Sequence, residues 1–184
     1  MAILLAAPYA HAGLIGDVTV SILFPASSTI FNGATDSLAV GSSLSCPGSS
    51  HVCTAGFFGV SEDVTFSATS GAISFSQGCC IDYSSAAFNG YEFSNLDFAD
   101  SGTLASATLG SISGFAQLTQ SDVTIVSGDI FVNLQEFVDP SGGSFTLTLT
   151  ETSGGTTVPE PGTAVFAGSA LLAMLAAFRM RERC

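Results

Sequence analysis

Asp17-Val-Thr-Val-Ser-Ile-Leu-Phe24 alternates between polar and apolar side chains from Asp17 through Ile22. Val18, Val20, Ile22 and Phe24 fall on one face, and Asp17, Thr19 and Ser21 on the other. A period of two places successive side chains on opposite sides of an extended chain, so this stretch predicts a half-buried β-strand. Pro25 ends it, because proline cannot donate to a ladder. The same signature recurs along the chain. Short runs of this kind cover 37–40, 57–60, 63–68, 72–75, 91–98 and 103–109, followed by 114–118, 122–126, 129–134 and 144–150. Gly, Ser, Asn, Asp or Pro clusters separate most of them, as in Ser127-Gly128-Asp129. Before residue 160 no window carries a 3.6-residue apolar stripe. Some ten strands at roughly 10-residue spacing predict an all-β fold, an antiparallel β-sandwich of jelly-roll-like arrangement. A parallel β-helix is the rival, and the lack of a fixed-period repeat counts against it.

The charges are as unevenly spread as the strands are regular. All three basic residues, Arg179, Arg181 and Arg183, lie in the last six of 184 positions. Of the 15 acids only Glu160 and Glu182 lie outside 13–158, so that stretch holds 13 acids, no Lys and no Arg. A body of formal charge −13 repels nucleic acid and anionic lipid, whose binding needs cations. An acidic surface also keeps an exported protein soluble, and that is the plainer reading.

Both ends read as export signals. Residues 1–12 form a short apolar run closing on Ala10-His11-Ala12, an A-x-A cleavage site before Gly13. No basic segment precedes the run, which points to a truncated leader or a misassigned start. Residues 13–150 then form the sandwich domain, and 151–157, Glu151-Thr-Ser-Gly-Gly-Thr-Thr157, are a flexible polar linker. Residues 158–184 open with Val158-Pro159-Glu160-Pro161-Gly162 and continue with an uncharged apolar stretch, 163–178. As a helix, its sixteen residues span roughly 24 Å, short of the ~30 Å hydrocarbon core but able to insert with thinning or snorkelling. The final Arg cluster places that end in the cytoplasm and the preceding domain outside.

Proline-rich box, short apolar helix and terminal Arg cluster, in that order, resemble the PEP-CTERM sorting domain. The resemblance covers about 26 residues, from Val158 to Arg183. It implies an exosortase partner, a membrane enzyme resembling a transpeptidase. That enzyme would cut near the Pro-Glu-Pro motif and release the tail. It also implies a Gram-negative bacterium that makes exopolysaccharide, with the product secreted or held at the cell surface. Cys184 is unusual for the pattern. The body is loosely similar to the Ser/Thr/Gly-rich bodies of such proteins, and that likeness implies no activity. The reading is a non-enzymatic surface or matrix protein. The alternatives are a carbohydrate-binding module and, less favoured, a glycoside-acting hydrolase.

Without the tail, Cys46, Cys53, Cys79 and Cys80 remain, an even number in an oxidising compartment. Neighbouring residues sit about 3.8 Å apart at Cα, too close for an ordinary bridge. The expectation is therefore that Cys46 and Cys53 each pair with one member of Cys79-Cys80. Zinc on these thiolates and His51 is the sharper alternative, but the vicinal pair lacks the usual spacing. His51 reads as a loop residue, because no nucleophile elbow accompanies it. Glu62, Glu92 and Glu136 are candidate hydrolytic carboxylates on separate strands. Tyr83 and Tyr91 are the candidate sugar platforms. Asp97-Phe-Ala-Asp100-Ser-Gly102 suggests a solvated turn, with calcium as the alternative. No other cofactor is expected.

Overall fold

A computed structural model describes residues 13–55, 61–67, 71–78, 81–139 and 142–152, and the side chain of Asp139 is not among what it describes. The expected leader up to Ala12, the run 57–60, Cys79 and Cys80, most of the linker and the whole sorting motif lie outside these residues. Contacts divide the chain into two units, Met1–Gly154 and Gly155–Cys184, and every described residue belongs to the first.

The strands are β1 (Leu14–Ile15), β2 (Asp17–Leu23), β3 (Ile30–Ala39), β4 (Ser43–Cys46), β5 (Glu62–Ser67), β6 (Ala72–Gln77) and β7 (Ile81–Asp82). They continue with β8 (Gly90–Ser94), β9 (Asp97–Phe98), β10 (Thr103–Ser113), β11 (Val123–Val126), β12 (Asp129–Asn133), β13 (Val138–Asp139) and β14 (Gly143–Thr152). Two antiparallel five-stranded sheets form, in the orders β10-β14-β6-β5-β4 and β11-β12-β8-β2-β3, with β1-β9 and β13-β7 as small pairs. The fold is all-β and sandwich-like, as the alternation predicts. Among the described residues no helix is long and apolar enough to cross a membrane.

Strand parity builds the core. Val18, Val20 and Ile22 of β2 are buried, while Asp17 is exposed. Opposite them, Val64 and Phe66 of β5, Ile73 and Phe75 of β6, and Phe145, Leu147 and Leu149 of β14 turn inward. Rings join the two layers: Phe75 lies 4.8 Å from Tyr91, and Phe66 lies 6.1 Å from Phe93. Such pairs contribute roughly 0.5–1.5 kcal/mol beyond their area burial. Outward positions of the first sheet are mostly hydroxyls. Register sets Ser45, Asp63, Ser76, Ser144 and Ser113 in one row across five strands.

Turn chemistry acts where the sequence placed it. Ser127 (φ 56°) and Gly128 (φ 94°) form the two-residue loop between β11 and β12, with Val126 opposite Asp129. Two consecutive positive φ values match the right-handed twist of the flanking strands. Gly90 is needed for a different reason: a Cβ there would meet the Val132 carbonyl oxygen at 2.0 Å.

Several expectations are corrected. The run 114–118 is a turn, in which Ala116 N–H donates to the Gly114 carbonyl and Leu118 N–H to that of Phe115. Its buried residues, Phe115 and Leu118, are three apart, which is a turn spacing and not strand alternation. The run 91–98 breaks at Asn95 (φ 58°) into β8 and β9. β4 and a one-turn helix, α1 (His51–Ala55), were not anticipated.

The cysteine pairing is also corrected. Cys46 bonds to Cys53, seven residues on, with Cα atoms 5.3 Å apart. The expected cross-pairing of both with Cys79-Cys80 is thereby overturned, as is zinc ligation by these two sulfurs. The cause is local. Ser50 starts α1, accepting the Cys53 N–H on its hydroxyl and the Thr54 N–H on its carbonyl, and the turn carries Cys53 back over β4.

Candidate functional site

One end of the sandwich brings together Glu62 and Gln77, two of the polar side chains that the strands bury. Glu62 opens β5 and Gln77 closes β6, and the register sets them directly opposite each other. Both point inward by parity, in line with Val64 and Phe66 on one strand and Ile73 and Phe75 on the other. The Tyr91 hydroxyl donates to Glu62 Oε2 at 2.7 Å, and the Tyr83 hydroxyl donates to Gln77 Oε1 at 2.5 Å. Glu62 Oε1 and Gln77 Nε2 are buried without a hydrogen-bond partner among the described residues. An unsatisfied buried polar atom costs roughly 1–3 kcal/mol.

Burial dominates the electrostatics here. It pushes the Glu62 carboxyl up to about 7, opposed by the Tyr91 hydrogen bond and reinforced by the Asp63 charge. Burial likewise lifts the Tyr91 phenol well above its ordinary range, with the Glu62 charge adding to it. A carboxyl titrating near neutrality has the character of a general acid or base. Glu62 is nevertheless 0% exposed.

Beside this buried chain a cleft of about 190 Å³ opens to solvent, lined by Ile22, Phe24, Phe31, Ile81, Asp82, Tyr83, Ser84 and Asn89. Phe24 follows β2 and Phe31 lies in β3, and their half-buried rings meet edge to face at 5.8 Å. The alternation Ile81-Asp-Tyr-Ser84 turns Ile81 and Tyr83 inward and leaves Asp82 and Ser84 exposed. Asn89 fixes the connecting loop, donating from Nδ2 to the Ser84 carbonyl at 3.1 Å. Tyr83 exchanges backbone bonds with the 136–137 segment: its N–H reaches the Phe137 carbonyl at 2.9 Å, and its carbonyl accepts from Glu136 N–H at 2.7 Å.

The residues singled out from sequence take other places. Tyr83 and Tyr91 are buried and serve the core polar chain, which corrects their reading as sugar platforms. Glu62 points into the core. Glu92, one residue from inward-facing Tyr91, is half-buried on the opposite face of its sheet, its carboxyl raised by burial and by the Asp129 charge. Glu136 is exposed and accepts from the Ser85 hydroxyl at 2.7 Å. The three glutamates are not brought into one cleft. His51 is exposed at the start of α1, where Asp36 accepts its backbone N–H at 3.1 Å and that of Val52 at 2.7 Å, with Nδ1 at 3.2 Å. Asp100 closes its own turn by accepting the Gly102 N–H at 2.8 Å. Among the described residues no three His, Cys, Asp or Glu side chains are grouped to hold a metal ion.

Sequence reasoning missed Gln77, Phe24, Phe31, Asp82 and Asn89 as site residues. For Gln77, parity alone was a signal, because it continues the Ile73, Phe75 face. Parity likewise placed Glu62 with Val64 and Phe66. Nothing local could unite Phe24 and Phe31 with Asp82, some fifty residues further on. No family model, no curated protein and no solved structure matches this chain.

Proposed function

We propose that the chain is the precursor of an exported, non-enzymatic surface or extracellular-matrix protein associated with exopolysaccharide. Its C-terminal signal is read by an exosortase. The sequence of the tail carries this reading: Val158-Pro-Glu-Pro-Gly162, then an uncharged apolar stretch, then Arg179, Arg181 and Arg183. The body supports it. Several of its polar groups are engaged in structure: Glu62 and Gln77 hold the Tyr91 and Tyr83 hydroxyls, and Asp36 holds the start of α1. The membrane is a transient partner through the apolar tail segment, and the mature domain lies outside the cell. The jelly-roll-like order is the finer architectural proposal. Supporting it, the connections β3–β4, β6–β8, β8–β10, β10–β11 and β12–β14 pass between the sheets, while β2–β3, β4–β5–β6 and β11–β12 remain hairpins.

Intact-mass analysis of the exported protein tests the reading. The expected mass lacks everything beyond about Val158, and deleting the exosortase gene restores the full tail. Mature extracellular protein still carrying Arg179–Arg183 would sink it. The cleft favours a second reading, a secreted carbohydrate-binding module, because it combines aromatic rings with polar rim groups.

A further inference from the structure

The cleft between the end of β2 and the 81–84 segment has a defined size, lining and charge. At about 190 Å³ it falls below the roughly 300–1,000 Å³ of sites that enclose drug-sized ligands. A single sugar ring, with the rest of a polymer continuing into solvent, suits that size. Half of the cleft's lining is apolar: buried Ile22 and Ile81 with the half-buried Phe24 and Phe31. An aromatic face carries negative potential and attracts a cation placed over it. Its rim carries one full charge, the carboxylate of exposed Asp82, next to the Ser84 hydroxyl.

The surroundings decide the sign of the ligand. None of the described residues is Lys or Arg, and the 13–158 stretch has a formal charge of −13. Anionic polymers such as polyuronates meet repulsion and no counter-charge. A polycation is drawn in by the whole body and neutralised locally at Asp82. Two aromatic rings, one carboxylate and room for a single ring describe a pyranose that bears a protonated amine. We infer that this cleft binds an amino-sugar unit of a polysaccharide with free amines. The ring's apolar face would rest on Phe24 and Phe31 and its ammonium would meet Asp82. This inference rests on the matrix reading above and names the matrix polymer's chemistry.

Binding of short glucosamine oligomers to the purified mature domain tests it, at mildly acidic pH where the amines are protonated. Fully N-acetylated and uronate oligomers of equal length serve as comparisons. The expected result is binding of the free-amine oligomer, weakened at least about tenfold by acetylation and also weakened by added salt, since screening acts on exposed charges. Uronate oligomers should not bind. Asp82→Asn, at an exposed position, should keep the melting temperature and lose the discrimination against the acetylated oligomer. Phe31→Ala should weaken both amino sugars. Equal binding of free and acetylated oligomers overturns the inference. So does free-amine binding that Asp82→Asn leaves unchanged, because the acidic surface as a whole would then be responsible. No binding of any oligomer overturns it too. Matrix retention in the producing cells is read separately. If the protein stays in the matrix while oligomer binding fails, only the cleft assignment falls. If it is released freely into the medium, the matrix reading falls.

Discussion

Replacing Glu62 with Gln should make this protein more stable at neutral and mildly alkaline pH, although it removes a buried charged group. The folded state raises the Glu62 carboxyl from 4.5 to about 7, chiefly by burial. The folded protein therefore holds this proton more tightly than the unfolded chain does. Stability from the protonated form is fully present below about pH 4.5 and is lost as pH climbs through about 7. A difference of about 2.5 pH units at about 1.4 kcal/mol each gives a loss on the order of 3 kcal/mol. That is a large share of a typical domain stability of roughly 5–15 kcal/mol. Glutamine keeps an oxygen to accept from the Tyr91 hydroxyl and cannot ionise. The assay is urea unfolding at constant ionic strength, in steps from pH 4.5 to pH 8. Wild type should lose about 3 kcal/mol across the window. Glu62→Gln should be nearly flat and overtake wild type toward the alkaline end. A small residual slope belongs to Glu92 and Asp129, whose carboxyls burial also raises. A wild-type curve without the fall, or a Glu62→Gln curve with the same slope, would refute the reasoning.

Cys46→Ser should cost on the order of 2–3 kcal/mol, since the bridge closes a loop of about eight residues, and chemical unfolding reads that difference. Non-reducing peptide mapping should recover Cys46 joined to Cys53, and a bridge from either to the Cys79-Cys80 peptide would contradict the fold. Gly90→Ala should destabilise by more than about 2 kcal/mol or prevent folding, because its Cβ would lie 2.0 Å from backbone that cannot yield. Gln120 guards the exposed edge of β10, accepting the Leu109 N–H at 2.7 Å and donating to the Ala107 carbonyl at 3.0 Å. Gln120→Ala should cost only about 1 kcal/mol but increase self-association, measured by light scattering, because it leaves an edge strand free to pair. Unchanged scattering would show that the edge is protected elsewhere.

How far the strands were legible depended on whether the governing interaction was local. The alternation in 17–24 names Val18, Val20, Ile22 and Phe24 as the inner face; the first three are buried and Phe24 half-buried, while Ser21 and Leu23 of the other parity are buried too. The hydroxyls of β14, at Ser144, Thr146 and Thr148, fall outward for the same reason. Ser127-Gly128 declares a hairpin because two positive φ values suit so few residues. The short β4, Ser-Leu-Ser-Cys, is too brief to separate from the Ser-rich loops around it. Gly114-Phe-Ala-Gln-Leu118 fails as a strand because its two buried residues, Phe115 and Leu118, are spaced for a turn.

What this sequence determined by itself is the set of properties that each residue carries with its neighbours. These are an all-β chain, the inward and outward sides of most strands, a body without basic residues, and a tail in which a Pro-Glu-Pro box, an uncharged apolar stretch and an Arg cluster follow one another. Tertiary structure alone decided what depends on strands meeting across the chain. The one-turn helix that carries Cys53 toward Cys46 starts on its own Ser50 cap, but it is docked by Asp36 of β3, which accepts the Val52 N–H at 2.7 Å. Tyr83 and Tyr91 are core residues because Gln77 and Glu62 await their hydroxyls on the facing sheet. Phe24, Phe31 and Asp82 become one cleft only when the end of β2 lies against the 81–84 segment. Alternation is written residue by residue, whereas pairing, register and burial are set by the joint packing of two sheets, which no single segment encodes.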